Sequence, residues 1–320
     1  MASAATRFDT GAPSRPLTAS LTLAPLGVPL DVEFVGSDEA EMLAAARLRW
    51  EGAPPCSATR LYLRIEVCDD SEEAGPIRIT VDDALMHVRG SGVEGSADPV
   101  TGRAACRVPS RYLASPDLLR SEILDPLVLH LLNRNDRAPV HASCFLAGGL
   151  AVLLAGPSGS GKSCLALAAD AAGFPVLSED VAYVQLRPHL RVWGWPGPVH
   201  LLPASAPLGR SFPTRVRNGK SKLAVPLGAV GPAALSQARA VFCVLKRGDA
   251  VSLEPLLPEA AMQRLARLEP GFDTVAREVR AAHGALTRNG AWQLTLSADP
   301  AEAIRFVAAN LARLCDAAVR

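Results

Sequence analysis

Two apolar runs, "HASCFLA" and "LAVLLA", meet at Gly148-Gly149, and the second leads straight into "GPSGSGKS". A Gly-Gly link between runs of strand length predicts a tight hairpin, because both central positions of such a turn need positive φ. A turn centred there sets Ala147 opposite Leu150 and, at the far end, His141 opposite Gly156. The strand entering the glycine loop thus has an antiparallel partner immediately before it. Parallel neighbours would need helical crossovers. The chain therefore has to build a mixed sheet around this loop, with His141 beside it.

The loop matches G-x-x-x-x-G-K-[ST] in full, and each residue type has a task. Gly156, Gly159 and Gly161 let the backbone turn its N–H groups inward as a nest for phosphate oxygens. Lys162 adds a cation for the β- and γ-phosphates, and Ser163 a hydroxyl for a magnesium ion. The whole segment Gly156, Pro157, Ser158, Gly159, Ser160, Gly161, Lys162, Ser163 and Cys164 is expected to bind the nucleotide, with ATP and Mg2+ as cofactors. "KSCLALAADAAG" then reads as a helix whose N-terminus faces the phosphates and whose end is marked by Gly173.

One helix later, "FPVLSEDVAYVQL" places Glu179 and Asp180 inside an apolar strand pattern. Adjacent carboxylates there are costly unless they meet a cation or lie at an open edge. Beside a triphosphate, one could bind magnesium directly or through water, and the other could accept the proton of an attacking hydroxyl. An acidic turn is the bland alternative.

The other segments set the frame. With 320 residues, 49% of them hydrophobic, the chain is long enough for two domains or one large one, and a formal net charge of +1 argues against nucleic acid or an acidic membrane recruited by bulk charge. The lead-in "MASAATRFDTGAPSRPLTAS" lacks a continuous apolar core, and the most apolar stretch, Cys144 to Ala155, is too short to cross a bilayer. A cytoplasmic protein is expected. The seven cysteines (Cys56, Cys68, Cys106, Cys144, Cys164, Cys243 and Cys315) form no CxxC pair and read mainly as buried reduced thiols.

Residues 1–29 read as a flexible segment. Residues 30–137 read as a small α+β domain: a strand "LDVEFVG", a helix opening at Ser37, then "LYLRIEV", "IRITVDD", "LMHVRG" and "RAACRV" as half-buried strands. A leucine-rich helix over 115–136, with Ser115 as cap, Pro116 at its first position and a kink at Pro126, links it to the second domain, 138–320. His130 in that helix and His200 in "WGWPGPVHLL" read as structural. Trp193 and Trp195 could line a pocket or belong to a packed strand. The expected C-terminal order is a strand over Ala240–Leu245, a "KRGD" turn, another strand, a helix around Pro258–Leu268, a less ordered stretch to Asn289, then a strand and an amphipathic helix.

His141, the strand pair, the P-loop, the helix and the acid pair together resemble the catalytic domain of HPr kinase/phosphorylase, and more closely the broader HPr-kinase-like group. The resemblance is close from His141 to Asp180 and loose over 138–320. It implies an α/β P-loop kinase domain with a mixed sheet, related also to ATP-type phosphoenolpyruvate carboxykinase, preceded here by the small α+β domain. By the family's motif, Lys162 and Ser163 serve ATP and magnesium. Glu179 falls on the Asp proposed as base or acid, Asp180 on the metal-associated Asp, and His141 on the histidine near the active site. Glu179 adds a methylene where the family has Asp. The glycine-rich signature of true HPr kinases has no counterpart, so neither HPr nor the reverse phosphorylase activity is implied.

"RVRNGKSKLAVPL" is the densest cationic segment. It reads as a solvated hairpin turn at Asn218-Gly219 or as a phosphate-facing strand. The family tends to carry a basic residue before a similar strand, which makes Lys222 the first candidate for a cation on the transferring phosphate and Lys220 the second. The reading is a kinase that passes the γ-phosphate of ATP to a hydroxyl. The acceptor is a serine of a protein or peptide, such as a component of a peptide-maturation or polysaccharide cluster, or a small-molecule alcohol. A nucleotide-binding regulatory module is the alternative from another class. ATP hydrolysis would need a water-positioning glutamine or an arginine finger, neither identifiable in the sequence. The family's tendency to oligomerise allows a homo-oligomer.

Overall fold

The structure, a computed structural model, describes residues 17–36, 50, 54–70, 75–195, 197–205, 211–217, 220–230, 235–266, 273–288 and 291–314. They fall into two compact units. The first holds the described residues up to Leu131, apart from Pro25–Gly27 and 54–56. The second holds those two short pieces and everything from Leu132 onward. The architecture is mixed α/β, with several sheets.

The first unit is built on one seven-stranded sheet. Its strands are β1 (Leu17–Leu23), β2 (Leu30–Val35), β3 (Leu61–Cys68), β4 (Arg78–Asp82), β5 (Leu85–Gly90), β6 (Val93–Asp98) and β7 (Arg103–Pro109), in the order β1-β2-β3-β7-β6-β5-β4. β2, β3 and β7 run parallel to their neighbours among themselves, and the remaining pairs are antiparallel. Two strands are additional to the expected set. β1 occupies part of the segment read as flexible, because "LTASLTL" alternates with period two despite its Ser and Thr content. β6 is "VEGSAD", whose small residues carry little strand signal, yet Val93 and Ala97 are buried. The helix expected to open at Ser37 lies outside the described residues, except Trp50, whose buried indole N–H donates to Asp125 Oδ1 at 3.0 Å.

The leucine-rich segment is helical as expected: an α turn at Pro116–Leu118, a π-helical stretch at Leu119–Leu124, then helix α1 (Asp125–Asn133). The π stretch sits just before Pro126, which cannot donate to the carbonyl four residues back, so the irregularity falls where the kink was expected. His130 is buried, with Nε2 2.6 Å from the Ala84 carbonyl oxygen, a structural histidine.

In the second unit the chain runs through β8 (Ala138–Val140), β9 (Ala142–Ala147), β10 (Leu150–Ala155), helix α2 (Lys162–Ala171), β11 (Val176–Ser178) and β12 (Ala182–Gln185). Then come β13 (Arg191–Trp193), β14 (Val199–Leu201), β15 (Thr214–Arg217), β16 (Lys220–Val225), β17 (Ser236–Gln237), β18 (Ala240–Arg247) and β19 (Ser252–Leu256). Helices α3 (Pro258–Leu265) and α4 (Ala276–Thr287), strand β20 (Ala291–Leu296) and helix α5 (Pro300–Ala309) follow. The stretch read as less ordered before Asn289 contains α4. Its buried Val279, Ala282, His283 and Leu286 follow a helical repeat that its many charged and small residues dilute.

The β9–β10 hairpin has the expected register, from Ala147↔Leu150 to Ala142↔Ala155, with Gly148 at φ 57° and Gly149 at φ 71°. A Cβ on Gly149 would touch nothing within 4 Å, so Gly149→Ala tests backbone strain alone. It is expected to cost about 1–2 kcal/mol in denaturant unfolding. β10 pairs in parallel with β18, and β18 with β20, giving the six-stranded order β11-β9-β10-β18-β20-β19. Its two faces bury separate cores, one against α2 and α5, the other against α3 and α4. Helix α2 closes with Gly173 at φ 83°, where Gly173 N–H and Phe174 N–H donate to the Asp170 and Ala169 carbonyls.

Smaller sheets complete the unit, β17-β13-β12-β8 and β14-β16-β15. Trp193 and Trp195 are both buried; Trp193 belongs to the packed strand β13, and Trp195 lies two residues beyond its end. Trp193 donates to Gln185 Oε1 at 3.0 Å and packs beneath Arg137. Cys106, Cys144 and Cys243 are buried thiols; burial pushes Cys106 and Cys243 up to about 12 and Cys144 in the same direction. Cys56 is exposed, unlike the expectation for most of the set, and Cys315 lies outside the described residues. No helix among the described residues is long and apolar enough to cross a membrane.

Candidate phosphate-binding site

The acids sit at an interruption shared by two neighbouring strands. β8 pairs with β12 (Val140↔Ala182) in one sheet, and β9 pairs with β11 (Cys144↔Ser178) in another. Both chains change sheet at the same level, one at His141 and the other at Glu179–Val181. Ser178 Oγ bridges the second break by donating to the Val181 carbonyl. Backbone freed from pairing leaves room for the carboxylates that an unbroken apolar strand would exclude. His141 Nδ1 lies 3.6 Å from Asp180 Oδ1 across the gap.

Glu179 is more enclosed. Ser163 Oγ donates to its Oε2 at 3.2 Å, and His200 Nδ1 donates to its Oε1 at 2.9 Å. The side chain of Glu179 is 9% exposed and that of Asp180 40%, so Asp180 is the more open of the two to an incoming molecule. The sequence reading made His200 structural. Its strand β14 pairs with β16 (His200↔Ala224), which puts Lys222 on the same face two residues along.

Lys162 is buried, and its ammonium donates to the Gly156 carbonyl at 2.6 Å and the Pro157 carbonyl at 3.4 Å. Burial depresses its pKa most. The Asp180 and Glu179 carboxylates oppose that shift, and the Lys222 cation adds to it. Lys222 is therefore within electrostatic reach of the loop. Lys220 is exposed at the start of β16, and Asn218-Gly219 lie outside the described residues.

The loop suits a nucleotide phosphate chain on its own geometry. Gly159 and Gly161 hold φ 83° and 111°, and a Cβ on Gly159 would meet nothing within 4 Å. Gly156 has no such room: a Cβ there would come 2.6 Å from Ser160 Oγ, a buried hydroxyl without a hydrogen-bond partner among the described residues. The N–H groups of Gly159, Gly161, Lys162 and Ser163 donate to no backbone carbonyl among the described residues. Together with a buried ammonium they form a nest of the kind that takes an anion. No cluster of three or more metal-ligating side chains occurs among the described residues. A magnesium ion held through substrate phosphates needs none, since Ser163 and one carboxylate suffice.

Arg247, at the end of β18, is a second residue the sequence reading passed over. A Cβ on Gly161 would come 2.9 Å from its Nη2 and 3.6 Å from Leu296 Cδ1. In sequence, Arg247 belongs to an ordinary "KRGD" turn, and only the parallel β10–β18 pairing brings it to the loop.

No family model matches the sequence, and no curated protein matches it. Among solved structures, the HPr(Ser) kinase/phosphatase from Coxiella burnetii aligns with 55% of this chain and 96% of its own, at 13% identity and a TM-score of 0.28. Similarity at that level does not equate the two folds.

Proposed function

We propose that the second unit is an ATP-dependent phosphotransferase of HPr-kinase-like type, acting on a hydroxyl acceptor. The observation that carries this reading is the contact of the loop hydroxyl Ser163 with Glu179, with Asp180 exposed beside His141. Bound Mg-ATP would supply the γ-phosphoryl group. The loop N–H groups, Lys162 and Lys222 would hold the phosphates and balance their charge.

The distances favour exchanging the two carboxylate parts that the resemblance implies. Glu179, tied to Ser163, is the better placed to share the metal, and His200 fixes its second oxygen. Asp180 is the better placed to take the proton from an acceptor hydroxyl. His141 orients it across the 3.6 Å gap. Acceptors of this chemistry are a serine of a protein or peptide other than HPr, or a small alcohol.

The test is incubation of the full chain with γ-labelled ATP and magnesium, with and without cell extract. Label on a protein, peptide or small alcohol is the expected result. Nucleotide binding with neither transfer nor hydrolysis would overturn the kinase reading and leave a nucleotide-binding regulatory module.

A further inference from the structure

The phosphate loop lies along the overhanging end of the neighbouring strand. β18 pairs with β10 up to Ala155↔Val244 and then continues through Leu245 and Lys246 to Arg247. The first loop glycine packs on this overhang: a Cβ on Gly156 would come 3.1 Å from Leu245 Cβ. The last, Gly161, faces Arg247 and Leu296, which are paired across β18 and β20. Leu245 and Arg247 share one face of β18 by their spacing, the face that carries the core beneath α2.

Strand order then gives the site two flanks. The carboxylates follow β11, on the β9 side of the loop strand, and β18 and β20 lie on the other side. On this strand order, a phosphate chain whose terminal group meets Ser163, Glu179 and Asp180 points away from them toward the β18–β20 side. Arg247 is exposed there and has no carboxylate partner among the described residues. Its guanidinium, always charged, lies against Gly161 at the positive N-terminal end of α2. A cation held at that end calls for an anion or a π face.

We propose that Arg247 binds the nucleoside end of the nucleotide, laying its guanidinium on the base plane, with Leu296 as the apolar surface beside it. The assignment rests on the nucleotide reading of the loop and adds to it a residue that distinguishes a nucleotide from a bare phosphate chain. Lys162 and the loop N–H groups serve any polyphosphate. Arg247 serves only one that carries a nucleoside.

Calorimetric titration of the full chain with Mg-ATP and, separately, with Mg-tripolyphosphate tests this. Arg247→Ala is expected to weaken ATP about 5- to 30-fold while changing tripolyphosphate by less than about twofold. Arg247→Gln keeps the bulk of the side chain and should show the same split, which guards against a folding defect in the alanine variant. Equal losses for the two ligands, or no loss for ATP, would overturn the assignment. A wild-type chain that takes up neither ligand would instead refute the nucleotide reading, and Arg247 with it.

Discussion

Asp180→Asn is expected to slow phosphate transfer by about 10²- to 10⁴-fold, the usual effect of removing a positioned general base. The Kd for Mg-ATP should stay nearly unchanged. The amide keeps the shape of the side chain and loses only its ability to take a proton, so the loss should fall on kcat. Glu179→Gln should behave differently. It disturbs the contact with Ser163 and the bond from His200, so the cost should appear first as a raised magnesium requirement. Transfer assays over a magnesium series with both variants separate the two roles. Full activity in Asp180→Asn would remove the carboxylate from the chemistry and return the base to Glu179.

Lys162→Met should abolish the stabilisation that nucleotide confers. For the wild type at a ligand concentration a hundredfold above Kd, linkage gives about 2.7 kcal/mol, readable as a rise in Tm. The variant should show no rise over the same range. The free protein supplies a second signature. Burial depresses the Lys162 pKa below the ordinary 10.5. Between the folded value and 10.5 the unfolded chain then binds more protons than the folded one, and stability increases with pH. Lys162→Met should lack that increment. A nucleotide-induced Tm rise that survives the substitution would overturn the role given to the loop lysine.

The hairpin register, from Ala147↔Leu150 to Ala142↔Ala155, was legible because it depends on a two-residue turn and a period-two pattern, both local. Glu179 and Asp180 were legible because carboxylates in an apolar run demand a reason. The lead-in misread at β1 and the diluted repeat of α4 show the limit of composition as a guide to local structure. His200 and Arg247 were hidden for another reason. His200 reaches Glu179 through the docking of the β14–β16–β15 sheet, and Arg247 reaches Gly161 through a parallel pairing between strands far apart in sequence. Neither encounter leaves a mark in the residues nearby.

The level at which two chains change sheet together is a mechanical seam as much as a chemical one. His141 is fixed to one margin of it and Asp180 to the other, so the spacing between them follows the opening of the seam. Buried residues along its edges, such as Ala142, Leu177 and Ala182, thereby act as shims. On the phosphotransferase reading, adding a methyl group to one of them is expected to change turnover through the gap between histidine and aspartate, with no contact to the phosphates.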